Sequence, residues 1–297
     1  EYVCFADADT IWKPEALRAA LGLMRWRNLG LLSLMTNLTS ETWFERIVQP
    51  VACYELITQY PPRRVNRTER QRAVANGQFM MFTQRAYKAI GTHKRFKDEI
   101  LEDQRMAKHV VWKKHLIGFL MADGLLYCRM YREYDRFKSG WKRIYGELAQ
   151  VRPDRLRRYA ARLFTFSVLL PVTTLAGLVV GAIALASTGH WAAWACTGLC
   201  AGVLAMWFGL LIAGHRWARA PVSGSLWHVP GAFITVVILL EAARDIAQGR
   251  GTTWGGRTYQ RLSGKKGRAR VIDEVPPDGP VESSAATTPS EPVSSGR

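Results

Sequence analysis

Cysteine, histidine and acidic side chains are all scarce in this sequence. Five cysteines stand at positions 4, 53, 128, 196 and 200. They are odd in number and form no Cys-x-x-Cys pair, which excludes a disulfide framework and a zinc knuckle. Cys196 and Cys200 fall one helical turn apart in an apolar run and read as small helix- or lipid-facing residues rather than a redox pair. The six histidines show no His-Glu-x-x-His or comparable metal spacing, and His93 and His109 read as surface or packing residues. Acids number 24 against 41 Lys and Arg, a formal net charge of +17. That balance points to a polyanionic partner: nucleic acid, an anionic membrane surface or phosphorylated substrates. The chain opens without Met and without a charged-then-apolar leader, so no signal peptide is read. A start inside an apolar strand reads as a truncated N-terminus.

What is present divides into consecutive parts. Residues 1–128 alternate strand-like apolar runs with helical spacings, the pattern of a layered α/β sheet. Lys13-Pro14-Glu15 opens a helix continued by Leu17, Leu21 and Met24, because Pro suits the first turn and Glu complements the dipole there. Further helices are predicted over 42–60, 84–90 and 100–112. Strands are predicted over 2–6, 29–35, 77–82, 116–121 and 125–130, and a basic loop from Arg63 to Arg72.

Residues 129–162 hold eleven Lys and Arg against four acids, interleaved with Tyr131, Tyr134, Phe137, Trp141 and Tyr145. Such a belt suits nucleic acid or a membrane–water interface. The next segments decide. The runs 163–186 and 191–213 each suffice to cross a hydrocarbon core of roughly 30 Å. Joined by the turn Ser187–His190, they form a transmembrane hairpin over 163–214. Basic flanks put both outer ends in the cytoplasm, and nucleic acid drops out as a partner. A third apolar run, 226–240, is short, contains His228 and Pro230-Gly231, and precedes a very basic segment. Within 215–262 it reads as a re-entrant or in-plane helix in preference to a third span. Trp254 and Tyr259 read as interfacial anchors. Residues 263–297 are first basic and then, from Pro276 to Arg297, a Pro/Ser/Thr-rich disordered tail.

Three short motifs can carry chemistry. Asp7 and Asp9, in FADADT, follow the first strand. Open α/β sheets bind ligands at the carboxyl ends of their strands, and paired hard oxygen ligands suit Mg²⁺ or Mn²⁺ on a diphosphate. Alone, the same residues also describe a solvated turn with Asp9 capping the next helix. Glu102-Asp103, in ILEDQRMAKHV, offers a general base for a hydroxyl, or an ordinary acid-rich helix start. Asn76-Gly77-Gln78 precedes an apolar strand.

Taken in order, FADADT, NGQFMMFTQRAYKAIGTH, ILEDQRMAKHV, RMYREYDRFKSGWKRIYGE, the hairpin and RGTTWGGRTY resemble family 2 glycosyltransferases of the GT-A fold. In particular the chain resembles the membrane-bound bacterial branch that includes hopanoid- and carotenoid-associated enzymes and ceramide glucosyltransferases. The resemblance implies a partial α/β GT-A-type domain, its first strands missing, followed by a C-terminal transmembrane helical region. It implies an inverting transfer of sugar from a nucleotide-diphosphate donor to a lipid-type acceptor. Asp9 and Asp7 would bind Mg²⁺ or Mn²⁺ and the nucleotide, Asp9 the more direct ligand. Asp103 would be the catalytic base, with Glu102 its neighbour and fallback. Gly77 and Gln78 would line the sugar or acceptor pocket, and Lys138, Trp141 and Lys142 would lie near the diphosphate. Membrane lipids are the implied surroundings, in an inner, cytoplasmic membrane that the chain crosses more than once with its catalytic domain facing the cytoplasm. No Gln/Arg-x-x-Arg-Trp string follows the base, which counts against a processive polysaccharide synthase. That synthase and a non-catalytic basic membrane adaptor are the alternatives. The strands that hold the nucleotide base in the family would precede Glu1, so this chain alone is expected to be inactive or weak.

Overall fold

The computed structural model describes residues 1–97, 99, 101–254, 257–261 and 269–274, with backbone pairing alone from residue 252 onward. In chain order the first elements are β1 (Tyr2–Ala6), β2 (Thr10–Trp12), α1 (Ala16–Trp26), β3 (Leu31–Met35), β4 (Asn37–Leu38), α2 (Trp43–Ile47), α3 (Gln49–Gln59), α4 (Pro62–Val65), β5 (Phe79–Thr83) and α5 (Gln84–Ala89). They are followed by α6 (Glu102–Trp112), β6 (Ile117–Met121), β7 (Leu126–Cys128), α7 (Tyr134–Leu148), α8 (Pro153–Phe164), α9 (Leu170–Thr188), α10 (Trp191–Trp217) and α11 (His228–Ala247). Three short strands close the described chain: β8 (Thr252–Trp254), β9 (Arg257–Arg261) and β10 (Ala269–Glu274).

The N-terminal region is mixed α/β. Its main sheet has four strands in the order β1-β5-β3-β6, antiparallel except for the β3–β6 pair. Successive strand residues point to opposite faces, and here both faces are buried, which explains the unbroken apolar runs. Leu31, Met80, Phe82 and Ile117 pack on one side with Met106 and Val110 of α6. Leu32, Leu34, Phe79 and Met81 pack on the other with Ala16, Ala20 and Met24 of α1. Each fully buried Leu or Phe contributes about 1.5–3 kcal/mol. A smaller sheet, β2-β7-β4, flanks it.

A third core is helical. Phe44 and Val48 from the α2–α3 segment, Trp141 and Tyr145 of α7, Leu156 of α8 and Leu239 of α11 belong to one buried cluster. It packs α2, α3, α7, α8 and α11 against one another. Three helical segments, Pro153–Thr188, Trp191–Trp217 and Val222–Ala247, are long and apolar enough to cross a membrane. The first joins α8 to α9 through a π-helical stretch at Thr165–Leu169. Gly189 ends α9 in the left-handed region with φ 62°, a conformation glycine adopts without a Cβ penalty. His190 then caps α10 through the backbone N–H of Ala192.

Several expectations need correction. The helix predicted over 42–60 is two helices, broken at Val48, because Pro50 lacks an N–H and is tolerated only in a first turn. The basic loop from Arg63 contains a short helix, α4. The strands β2 and β4 were not predicted, and each is too short to show an alternation. The helix predicted from residue 100 begins at Glu102, while Ile100 lies outside the described residues. After a 3-10 turn that takes in Leu226 and Trp227, the third apolar run is one α-helix from His228 that continues past Leu240 to Ala247, with Pro230-Gly231 in its first turn. Trp254 and Tyr259 fall in β8 and β9, and their side chains lie outside the description. The tail from 275 onward also lies outside it.

Candidate active site

The register of β1 on β5 assembles the site. Ala6 pairs with Phe79, so the residues just after β1 lie beside those just before β5. Asp7 leaves the strand in a tight turn, its carbonyl accepting from the Thr10 backbone N–H at 3.2 Å and the Thr10 hydroxyl at 2.7 Å. The turn sets the Asp7 side chain beside the neighbouring loop, while Asp9 turns its carboxylate to the Cys128 thiol. Opposite stands Gly77, and the first turn of α6 adds Glu102 and Asp103.

Asp103 is stapled to that loop. Its Oδ2 accepts the Gly77 N–H at 3.0 Å and its Oδ1 accepts the Gln104 N–H at 2.6 Å. The Gln104 side-chain amide donates to the Ala75 carbonyl. A Cβ built on Gly77 would lie 3.8 Å from Asp103 Oδ2 and 4.0 Å from Asp7 Oδ1. One glycine therefore separates the two carboxylates that the sequence sets almost a hundred positions apart.

Mutual repulsion and desolvation perturb the cluster. Burial first, then the charge of Glu102 and that of Asp7, raise the pKa of Asp103 from 3.8 to about 7, against the opposing N–H bonds of Gln104 and Gly77. Burial, Asp9 and Glu102 raise Asp7 above its ordinary value, and Arg143 opposes them. A carboxyl poised near neutrality is suited to take a proton. Asp9 hydrogen-bonds the Cys128 thiol, which burial and the charges of Asp9 and Asp7 hold neutral.

Gln78 is buried and its amide is fixed on both ends. Its Oε1 accepts from Thr36 Oγ1 at 2.6 Å and Asn76 Nδ2 at 2.8 Å, and its Nε2 donates to Cys128 Sγ at 3.2 Å. Asn76 belongs to the motif read in the sequence, whereas Thr36 and Cys128 were not singled out for this role. Nothing in the local pattern of Thr36 or Cys128 distinguishes them.

The basic-aromatic helix α7 divides its expected residues. Trp141 lines the cleft, packed against Phe137 and Tyr145 with ring centroids 6.1 and 5.3 Å away. Its indole N–H is buried and has no hydrogen-bond partner among the described residues. Lys138 and Lys142 do not line the cleft. Lys138 Nζ pairs with Glu241 Oε1 of α11 at 2.7 Å, and Lys142 with Asp245. The cation that does line the cleft is Arg143, whose charge acts on Asp7 and whose side chain hydrogen-bonds the Tyr131 hydroxyl. Gly140 permits this contact: a Cβ there would sit 2.0 Å from the Tyr131 hydroxyl oxygen. The signal available in sequence was the matching i, i+4 spacing of Lys138/Lys142 and Glu241/Asp245, which marks the lysines as partners of another helix.

The cleft has a volume of about 400 Å³. Asp7, Glu102, Asp103, Gly77, Gln78 and Arg143 line its polar end. Met35, Leu56, Phe119, Met121, Met130 and Ile144 line its apolar body, and Trp217 and Ala218, at the end of α10, lie at its wall. Remaining candidates lie elsewhere. His93 packs edge-on against Phe5 with ring centroids 4.3 Å apart, and His109 edge-on against Phe96 at 4.9 Å. Cys196 is exposed on α10. In the basic loop, Arg72 covers the ring of Tyr60 at 4.4 Å, while Arg63, Arg64, Arg67 and Arg70 are exposed.

Among the described residues no group of three or more His, Cys, Asp or Glu is placed to hold a metal. The oxygen-only donors Asp7 and Asp9 fit a hard divalent cation of the kind that keeps one or two protein carboxylates and takes its other ligands from phosphate and water. The repulsion within the cluster favours a cation there. No family model and no curated protein matches the chain.

Proposed function

We propose that this protein is a membrane-bound GT-A-type glycosyltransferase of the family 2 class. It moves a sugar from a nucleotide-diphosphate donor to the hydroxyl of a lipid-type acceptor with inversion, its catalytic region facing the cytoplasm. The observation that carries this reading is the meeting of Asp7 and Asp103 on either side of Gly77, at the polar end of an apolar cleft that reaches the end of α10.

Asp9 and Asp7 would hold Mg²⁺ or Mn²⁺, which when bound neutralises charge on the departing diphosphate. Arg143 adds a positive charge at the same end of the cleft. Asp103 accepts the proton of the acceptor hydroxyl as its oxygen attacks the anomeric carbon, and the bond to the diphosphate breaks. The Gly77 N–H orients Asp103 for that step. Gln78 and Trp141 line the part of the cleft where the sugar or acceptor would sit. The apolar body of the cleft suits an acyl or isoprenoid chain, whose burial contributes about 0.8 kcal/mol per methylene.

The test is transfer of label from a panel of nucleotide sugars into extracted membrane lipid by the full-length protein in detergent, with and without chelator. Cation-dependent label in the lipid phase supports the reading. Label that accumulates in long polymer would favour a synthase, and no transfer with any donor would favour a non-catalytic membrane adaptor.

A further inference from the structure

The third apolar helix, α11, has the length of a membrane span, yet its contacts place it otherwise. The hairpin fixes which side is which. Just before α9, Arg162 Nη2 on α8 bonds Glu55 Oε1 of α3 at 2.6 Å. Just after α10, Arg219 Nη2 bonds Asp123 Oδ1 at 2.8 Å and the Ala218 carbonyl accepts from Asn37 Nδ2 at 3.2 Å. Both open ends of the hairpin therefore return to the α/β region.

Helix α11 meets that same region at each end. Near its start a Cβ on Gly231 would lie 2.1 Å from the Ile47 carbonyl oxygen of α2, so the two backbones touch. Near its finish Glu241 and Asp245 pair with Lys138 and Lys142 of α7. Both α2 and α7 precede the first span in the chain, on the same side of the hairpin. Gly231 and Asp245 are separated by about 21 Å of helix axis at 1.5 Å per residue. A helix pinned over that length to elements on one side does not carry its end across a core of roughly 30 Å.

Its two faces have different partners. Ala232, Val236, Leu239 and Ala243 are buried in the helical core. Leu226, just ahead of the helix, and Phe233, Val237 and Leu240 within it form an outward stripe, 71%, 54%, 37% and 47% exposed, ending at the exposed Arg244. Half of the most apolar window of Val222–Ala247 is buried within the protein, against 11% for Pro153–Thr188 and none for Trp191–Trp217. Phe166 and Leu169, in the π-helical stretch packed beside α11, are also exposed and apolar, so the stripe is continuous with the hairpin's lipid-facing surface. Residues 250–270 then carry seven Lys and Arg and no acid, a charge that belongs on the cytoplasmic side.

We infer that the chain crosses the bilayer twice and that α11 does not cross. One face of α11 docks on α2, α3, α7 and α8, and its outer stripe contacts the lipid of the leaflet next to the α/β region. The helix forms the back of the cleft wall: α7 turns Trp141 and Arg143 to the cleft and Lys138 and Lys142 to α11. The inference concerns membrane architecture and holds whatever reaction the cleft performs.

Short epitope tags placed before Glu1, after Gly189 or after Arg297 of the full chain test it, each probed with antibody on sealed vesicles before and after permeabilisation. The tags before Glu1 and after Arg297 are expected to be reached from one side and the tag after Gly189 from the other. A tag after Arg297 that shares the side of Gly189 overturns the inference. A photo-crosslinking amino acid at Phe233 tests the partner. Crosslinks to phospholipid support it, and crosslinks to a second chain, or none, overturn the lipid assignment.

Discussion

Replacing Asp103 by Asn probes the electrostatics of the carboxylate cluster through stability as well as activity. Burial, then Glu102 and Asp7, lift this carboxyl from 3.8 to about 7. In the unfolded chain it ionises near its ordinary value. The folded state therefore loses stability as pH climbs from about 4 to about 7, and the loss is constant above that. The full shift corresponds to roughly 4 kcal/mol. The side chain is largely enclosed, but an amide cannot accept from both the Gly77 and the Gln104 N–H. The expected net gain for Asp103→Asn above pH 7 is therefore about 2 kcal/mol. Thermal unfolding in detergent, followed by Trp fluorescence between pH 4 and 8.5, measures it. The variant should match wild type near pH 4 and exceed it by about 4–8 °C above pH 7. A difference that stays constant across that range would refute the reasoning, because the amide would then act through shape alone. Sugar transfer by the same variant should fall by about 100-fold or more.

Donor binding separates the roles of the other site residues. Asp9→Ala should abolish cation-dependent nucleotide-sugar binding by calorimetry while Asp103→Asn retains it, and equal loss in both contradicts the assignment. Arg143→Ala should weaken donor binding about tenfold, or about 1.4 kcal/mol, whereas Lys138→Ala and Lys142→Ala should stay within about twofold because those lysines face α11. The reverse order would mean that the lysines reach the donor. Glu45 accepts the backbone N–H groups of Glu41 and Thr42, both at 2.7 Å, and is buried beside Arg129. Glu45→Ala should cost roughly 2–4 kcal/mol, seen as a lower Tm, and an unchanged Tm would show that water replaces those bonds.

The parts of the fold that repeat a period were legible in the sequence. β3, β5 and β6 are apolar on both faces because two helical layers cover them, and α9 and α10 declare themselves by length. Of the elements that were missed, β2, β4 and α4 are too short to show a period and exist through pairing and packing with distant residues. Strands β8, β9 and β10, also missed, pair with one another in a basic, polar stretch that lacks an apolar alternation. The site was legible where chemistry is local: Asp7, Asp9, Glu102 and Asp103 stand out as acids at element ends in a basic chain. Arg143 was not legible, because one arginine among eleven basic residues is selected only by the rotation of α7. Lys138 and Lys142 were assigned to the ligand from a motif position, and the acids of α11 claim them instead. The Gln78 network escaped because Thr36 and Cys128 reach it only through the sheet.

The measurement that bears most directly on the central claim is equilibrium binding of a nucleotide-sugar panel to the full-length protein in detergent. It is titrated with Mn²⁺ and Mg²⁺, with Asp9→Ala alongside. The account predicts saturable binding of at least one donor that disappears with chelator and in the variant. A folded protein that binds no donor, or binds one equally well without cation and without Asp9, would contradict it.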